Sequence, residues 1–220
     1  MKNKFPVTEI FDSIDGEGKR TGLMATFVRF AGCNLRCSYC DTAYSLREED
    51  AEEWLTEEEL LRRIRAYPWK RVTLTGGEPL LQPLASLCDT LGREGFECNI
   101  ETNGAVPMME TRPEGLFYTM DWKCPDSGME GRMCADNFPR LEAQDVVKFV
   151  VGSERDLCAM ERVVRRWFMK PGAPRLYVSP VFGRIEPRRL VEFVRDHALA
   201  EVTVQVQLHK VIWPPDMRGV

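Results

Sequence analysis

No stretch of this 220-residue sequence approaches the ~18 consecutive apolar residues of a membrane-spanning helix, and its first 16 residues hold no apolar secretory core. Both absences predict a cytoplasmic protein with no membrane partner. Charge of neither sign dominates, since 30 Lys and Arg stand against 34 Asp and Glu. No broad basic face is implied, so nucleic acid is not the expected partner; the basic runs at 162–166 and 184–189 read as solvated helix faces. Histidine is scarce: His197 and His209 are the only two. Internal repeats, low-complexity tracts and linkers are absent, which predicts one domain over 1–220 with its own core.

The elements that can be read alternate. Strands are expected at 25–31, 71–75, around Phe96, Cys98 and Ile100, at 116–121, 146–151 and 175–179, and at Val202, Val204 and Val206. Between them lie helical stripes. Thr56-Glu57-Glu58-Glu59 is a capping-box start, followed by Leu60, Leu61 and Ile64 at helical spacing. Further helices are expected at Leu84–Leu91, at Leu157–Phe168 and over 187–198. Strand–helix alternation predicts a mostly parallel sheet. The chain is shorter than the ~250 residues of a full eight-fold barrel. An α/β fold built as an incomplete, TIM-like barrel, with fewer helices than strands, fits better. The segment 103–145 reads as loop and short elements with one strand inside.

Cysteine is plentiful, with eight residues. In a reducing compartment these serve as metal ligands, catalytic groups or small buried side chains. Cys88, Cys98, Cys124, Cys134 and Cys158 are scattered, while Cys33, Cys37 and Cys40 share the loop "CNLRCSYCDT". A structural zinc site closes with four protein ligands, and only one true Cys-x-x-Cys pair exists here. Zinc with a distant fourth ligand stays open as an alternative. Three thiolates suit a 4Fe-4S cluster, because a cube held at three corners leaves one iron able to bind a small molecule.

C-x3-C-x2-C with an aromatic before the last cysteine, directly after a strand, resembles the radical S-adenosylmethionine superfamily. So does Thr75-Gly76-Gly77-Glu78-Pro79 after the next strand. The resemblance implies that the open iron chelates S-adenosyl-L-methionine and that reductive cleavage gives a 5′-deoxyadenosyl radical. Two glycines in a loop after a parallel strand would also let backbone approach a ligand closely.

Over nearly the whole chain, "EIFDSIDGEG", "FVRFAGCNLRCSYCDT", "TGGEP" and "QLHKVIW" resemble the 7-carboxy-7-deazaguanine synthase family. That family contracts the ring of 6-carboxy-5,6,7,8-tetrahydropterin with loss of ammonia, on the way to queuosine and other 7-deazapurines. The resemblance implies that Ile14, Asp15, Gly16, Glu17, Arg29, Thr75 and the terminal Val220 contact the pterin. It implies that Tyr39, Cys40, Asp41, Gly77 and Glu78, with Asp121-Trp122-Lys123 and Ser179, contact S-adenosylmethionine, and that Thr42 ligates Mg2+. Asp15 departs from the Gln that the family usually carries. Arg29 can hold the substrate carboxylate bidentately, and Glu17 can accept hydrogen bonds from the aminopyrimidinone edge. His209 reads as structural. A homodimer reduced by a flavodoxin or ferredoxin follows from the same resemblance. Asp15-Gly16 also suits a glycyl-radical enzyme activase, which the residues Glu17 and Asp41-Thr42 oppose; a non-catalytic metal-binding module is the rival from another class.

Overall fold

The computed structural model describes residues 4–220. Nine strands form one sheet: β1 (Phe5–Ile14), β2 (Met24–Phe30), β3 (Glu53–Leu55), β4 (Arg71–Gly76), β5 (Glu97–Thr102), β6 (Leu116–Trp122), β7 (Val146–Val151), β8 (Arg175–Pro180) and β9 (Val202–Val204). The spatial order is β3-β1-β2-β4-β5-β6-β7-β8-β9, and every pairing from β2 to β9 is parallel. The helices are α1 (Glu57–Arg65), α2 (Ala85–Arg93), α3 (Glu154–Trp167), α4 (Pro187–Asp196) and the short α5 (Leu208–Ile212). An open, mostly parallel sheet with fewer helices than strands is the incomplete barrel expected. None of these helices is long and apolar enough to cross a membrane.

Period-two alternation sets the two faces of the sheet. Val72 and Leu74, Cys98 and Ile100, Tyr118 and Met120, and Val147 and Phe149 join the apolar layer beneath the helices. The residues between them, Thr73, Thr75, Asn99, Glu101, Thr119, Asp121 and Lys148, are polar and face inward. The interior is therefore built to hold a polar ligand. The Thr56 capping box forms as expected, with the Thr56 side chain accepting from Glu59 N and the Glu59 carboxylate from Thr56 N.

The edge strand β3 and its neighbour β1 escape the sequence reading, and β1 pairs antiparallel with both β2 and β3. The loop between β1 and β2 is also not the surface turn that Asp-Gly admits. It folds under the sheet and closes the end where the parallel strands begin. Lys19 Nζ donates to Gln144 O at 3.0 Å and sits 3.4 Å over the Phe117 ring. The Arg20 guanidinium donates to Glu97 O at 3.2 Å and to Thr73 Oγ1 at 2.5 Å. Gly18 sits at φ +76°, a backbone state glycine adopts without strain.

Candidate active site

Above this plug lies a cavity of about 260 Å³, ringed by the carboxyl ends of the parallel strands. Ligand sites in open α/β sheets form at that end. Cys33, Cys37 and Cys40 all line the cavity, and all three thiols are free. Their loop is tied down on both sides. Gly32 N donates to Ser45 O and Cys33 N to Leu46 O. Ser38 N reaches Ser127 O, and the Tyr39 hydroxyl donates to Val150 O at 3.1 Å.

The donor set fits a 4Fe-4S cluster better than a single ion. Among the described residues, no three His, Cys, Asp or Glu side chains are grouped to hold one metal ion. Cys124 and Cys134 do not line the cavity, so no fourth thiol completes a zinc site there. Cys33 Sγ already accepts from Leu35 N at 3.4 Å and faces Asn103 Nδ2 at 3.7 Å. Such N–H donors tune thiolates that hold clusters.

The Gly76-Gly77-Glu78 turn braces this loop. Gly76 has φ +132°, and an added Cβ would lie 2.1 Å from Phe30 O. At Gly77 a Cβ would lie 2.1 Å from Gly32 O and 2.8 Å from Ser45 O. Gly76 thus serves the close approach of backbone to the end of β2, and Gly77 the approach to the backbone flanking the cysteine loop, beyond any approach to a ligand. Gly77 N donates to Phe30 O and Glu78 N to Gly32 O. The Glu78 carboxylate is fully buried and does not line the cavity, accepting from Leu80 N (3.0 Å), Thr102 Oγ1 (2.8 Å) and Asn103 N (2.7 Å). Burial outweighs these bonds and pushes the Glu78 carboxyl up to about 7.

Below the cysteines the cavity wall is charged. Lys148 Nζ lies 2.8 Å from Glu17 Oε2, 3.5 Å from Asp121 Oδ1 and 3.8 Å from Glu101 Oε1. Lys123 pairs with Asp121 Oδ2 at 2.6 Å. Burial alone would raise the Glu17 carboxyl, but the Lys148 ammonium outweighs it and holds Glu17 below its ordinary value. Burial likewise disfavours the Lys148 cation, and Asp121 with Glu17 more than reverses that. Gln207 Nε2 also donates to Glu17 Oε2, while Glu17 Oε1 is buried without a hydrogen-bond partner.

On the opposite wall, Arg29 Nε donates to Glu9 Oε1 at 2.6 Å. Thr42 Oγ1 donates to Asp41 Oδ1 at 2.9 Å and makes no cap bond to the short 3-10 turn it precedes. Asp15 lines the cavity, yet its carboxylate is engaged with Arg20 Nε at 2.9 Å and with Thr73 Oγ1 at 2.9 Å. Residues 207–220 cover the mouth, with Lys210 paired to Asp41 at 2.8 Å and Val220 among the lining residues.

Of the residues singled out from sequence, Ile14, Asp15, Gly16, Glu17, Arg29, Thr75 and Val220 meet in this one cavity. So do Tyr39, Asp41, Thr42, Gly77, Asp121 and Lys123. Glu78, Trp122 and Ser179 do not line it. Trp122 turns outward onto Phe138, ring centroids 5.0 Å apart, and Ser179 is buried on β8. Sequence reasoning missed Lys148, Glu101, Tyr44 and Gln207, and Glu9, which stands behind Arg29; His209, read as structural, also lines the cavity. Lys148 had a signal: it is a lone cation inside Val146-Val-Lys-Phe-Val-Val151, as Arg29 is inside its own strand.

A partial barrel carrying three cysteines in one loop over an inward polar cavity defines a radical S-adenosylmethionine protein. The model for the Radical SAM superfamily matches residues 27–116. The chain is 43% identical to the 7-carboxy-7-deazaguanine synthase of Clostridium acetobutylicum, over 98% of this chain and 99% of that one. It is 39% identical to the enzyme of the same name from Chlorobaculum tepidum, over 97% and 96%. The crystal structure of QueE from Escherichia coli superposes with a TM-score of 0.74 at 26% identity, covering 92% of this chain and 94% of that one. The chain belongs to the 7-carboxy-7-deazaguanine synthase family.

Proposed function

We propose that this chain is a radical S-adenosylmethionine carbon–nitrogen lyase that converts 6-carboxy-5,6,7,8-tetrahydropterin to 7-carboxy-7-deazaguanine with loss of ammonia. One observation carries this: the three thiols and the buried Glu17–Lys148 pair share one cavity with Arg29. Cys33, Cys37 and Cys40 would hold the 4Fe-4S cluster. With S-adenosylmethionine bound, that cluster supplies reversible hydrogen-atom abstraction from the substrate.

The chain's own residues do the rest. Glu17 offers the unpartnered Oε1 to the N–H edge of an aminopyrimidinone, and Lys148 keeps that carboxylate ionised. Arg29 faces the substrate carboxylate, and Thr75 lies beside it as its register partner. Tyr39, Asp41, Gly77 and Lys123 form the wall toward S-adenosylmethionine. Glu78 acts on that wall through the backbone it anchors, and Ser179 lies beside the Glu17 carboxylate and favours its ionised form. Thr42 provides a hard oxygen for Mg2+, an ion that keeps few protein ligands. The proposal extends to a single domain over 1–220, a homodimer, a flavodoxin or ferredoxin donor and a cytoplasmic setting.

Anaerobic protein loaded with iron and sulfide, then given reductant, S-adenosylmethionine, Mg2+ and the pterin, should form 7-carboxy-7-deazaguanine by mass without net loss of S-adenosylmethionine. A Thr42→Ala variant should shift the Mg2+ dependence. Cleavage of S-adenosylmethionine without any deazapurine would overturn the substrate.

A further inference from the structure

Glu9 does not line the cavity itself, but it reaches Arg29, which does, and it does so only because β1 is bulged. Val7 pairs with Phe30 and Glu9 with Arg29, and the register shifts between them, so Thr8 is an extra residue. In a regular strand, Val7 and Glu9 would share a face. Here Val7 lies in the apolar core and Ile10 packs against that core. Glu9 has been turned to the inner face, beside Arg29. Bulges re-aim side chains in this way, and often do so beside active sites.

The re-aimed carboxylate takes two donors. Glu9 Oε1 accepts from Arg29 Nε at 2.6 Å and from the Tyr44 hydroxyl at 2.8 Å. The guanidinium carbon lies 5.9 Å from both the Phe11 and the Tyr44 ring centroids, so aromatic rings flank the group. Arg29 is thereby held by its inner nitrogen. Its two terminal nitrogens have no protein hydrogen-bond partner among the described residues, and Arg29 lines the cavity. A guanidinium fork held at Nε presents its terminal pair to a carboxylate in fixed geometry.

We propose that Glu9 is a positioning residue that makes this cavity selective for a carboxylated pterin, by holding Arg29 so that both terminal nitrogens face the substrate's carboxylate. The inference rests on the proposed substrate. It also opposes a simpler role. If Glu9 only neutralised Arg29, removing it would strengthen the attraction for an anionic ligand. If it positions Arg29, removing it weakens that attraction, because an unheld arginine must be ordered on binding.

The test is equilibrium binding of 6-carboxypterin and of unsubstituted pterin to the cluster-loaded protein with S-adenosylmethionine present, under anaerobic conditions. Wild type should prefer the carboxylated ligand. Glu9→Ala should cut that preference roughly tenfold, with Glu9→Gln intermediate, and affinity for unsubstituted pterin and for S-adenosylmethionine should stay unchanged. In an Arg29→Ala background the Glu9 change should have no further effect on the preference, which a general structural role would not produce. A preference kept or strengthened in Glu9→Ala and Glu9→Gln overturns the role of Glu9 alone. No preference in wild type overturns the carboxylated substrate and the role of Glu9 with it.

Discussion

Lys148 is an ammonium placed among three carboxylates, with its side chain only 9% exposed. Taking away one partner of such a set leaves buried charge uncompensated, at a cost of about 3–5 kcal/mol. Lys148→Met should therefore lower the melting temperature of the apo protein at neutral pH. The sign with pH follows from Glu17. Its folded carboxyl lies below the ordinary value because of Lys148, so the pair contributes stability above the ordinary carboxylate range and loses it as pH falls through the lowered value. The deficit of the variant should be greatest near neutrality and shrink on acidification. A deficit independent of pH would mean that lost packing, not charge, is responsible.

Asp15 behaves in the opposite sense. Burial pushes its carboxyl from 3.8 up to about 6, and the Arg20 partner offsets this only in part. The folded state then binds a proton more tightly than the unfolded state. Stability is highest below the unfolded value and falls as pH rises from about 4 to about 6, by up to about 3 kcal/mol. Asp15→Asn should remove that slope, so the melting temperature of the variant relative to wild type should climb across this window. A neutral amide, close to the Gln usual in the family, avoids the burial of charge.

At the scale of elements, the cysteine loop is shaped by its neighbours as much as by its own sequence. Gly77→Ala would drive a methyl into Gly32 O and Ser45 O, both backbone atoms that cannot swing aside. The loop must move, and the thiols with it. The expected outcome is reduced iron and sulfide content after reconstitution together with a lower melting temperature, the loss being about 1–3 kcal/mol as for other steric insertions. Full iron content in that variant would show that the two loops are not coupled.

The same elements show what could be read in advance. The strands from β4 to β8 and the helices α1 to α4 announce themselves, because one face of each is continuously apolar and the periods of 2 and 3.6 survive. β1 does not, for a physical reason. Its bulge at Thr8 shifts the phase of alternation between Val7 and Ile10, and its inner face carries Glu9 as the partner of Arg29. Thr75 and Arg29 were legible because their strands carry the motifs. Glu9 escapes a reading along the chain because its importance lies in its register with Arg29, whereas Lys148 is marked only by being a lone cation in an apolar strand. Glu78 illustrates the converse: the motif residue is plain in sequence, while its carboxylate serves the junction of β4 and β5.

For the whole molecule, an open sheet leaves its interior exposed unless something covers it, and the segment after β9 does so. Gln205 Oε1 accepts from Gly18 N at 2.7 Å and Leu208 N donates to Gly16 O at 3.0 Å, so the tail is fastened to the plug under the sheet. Gly16 permits this contact, since a Cβ there would lie 2.0 Å from His209 Nδ1. Lys210 then clips Asp41, and the Arg218 guanidinium lies 3.6 Å from the centre of the Tyr44 ring. The last residues thus connect the plug, the cysteine loop and the arginine wall. Removing 214–220 leaves the fastening at Gln205, Leu208 and Lys210 in place but strips Pro215, Asp216, Met217 and Val220 from the cavity wall. The fold should survive with a melting temperature within a few degrees of wild type, because these residues belong to no strand and to no core cluster. Pterin affinity should fall roughly tenfold or more. Water admitted to the cavity should also uncouple the chemistry, so that 5′-deoxyadenosine accumulates per deazapurine formed. Unchanged pterin affinity with tight coupling would show that the tail serves assembly alone, and a collapse in melting temperature would show that it is part of the fold's core support.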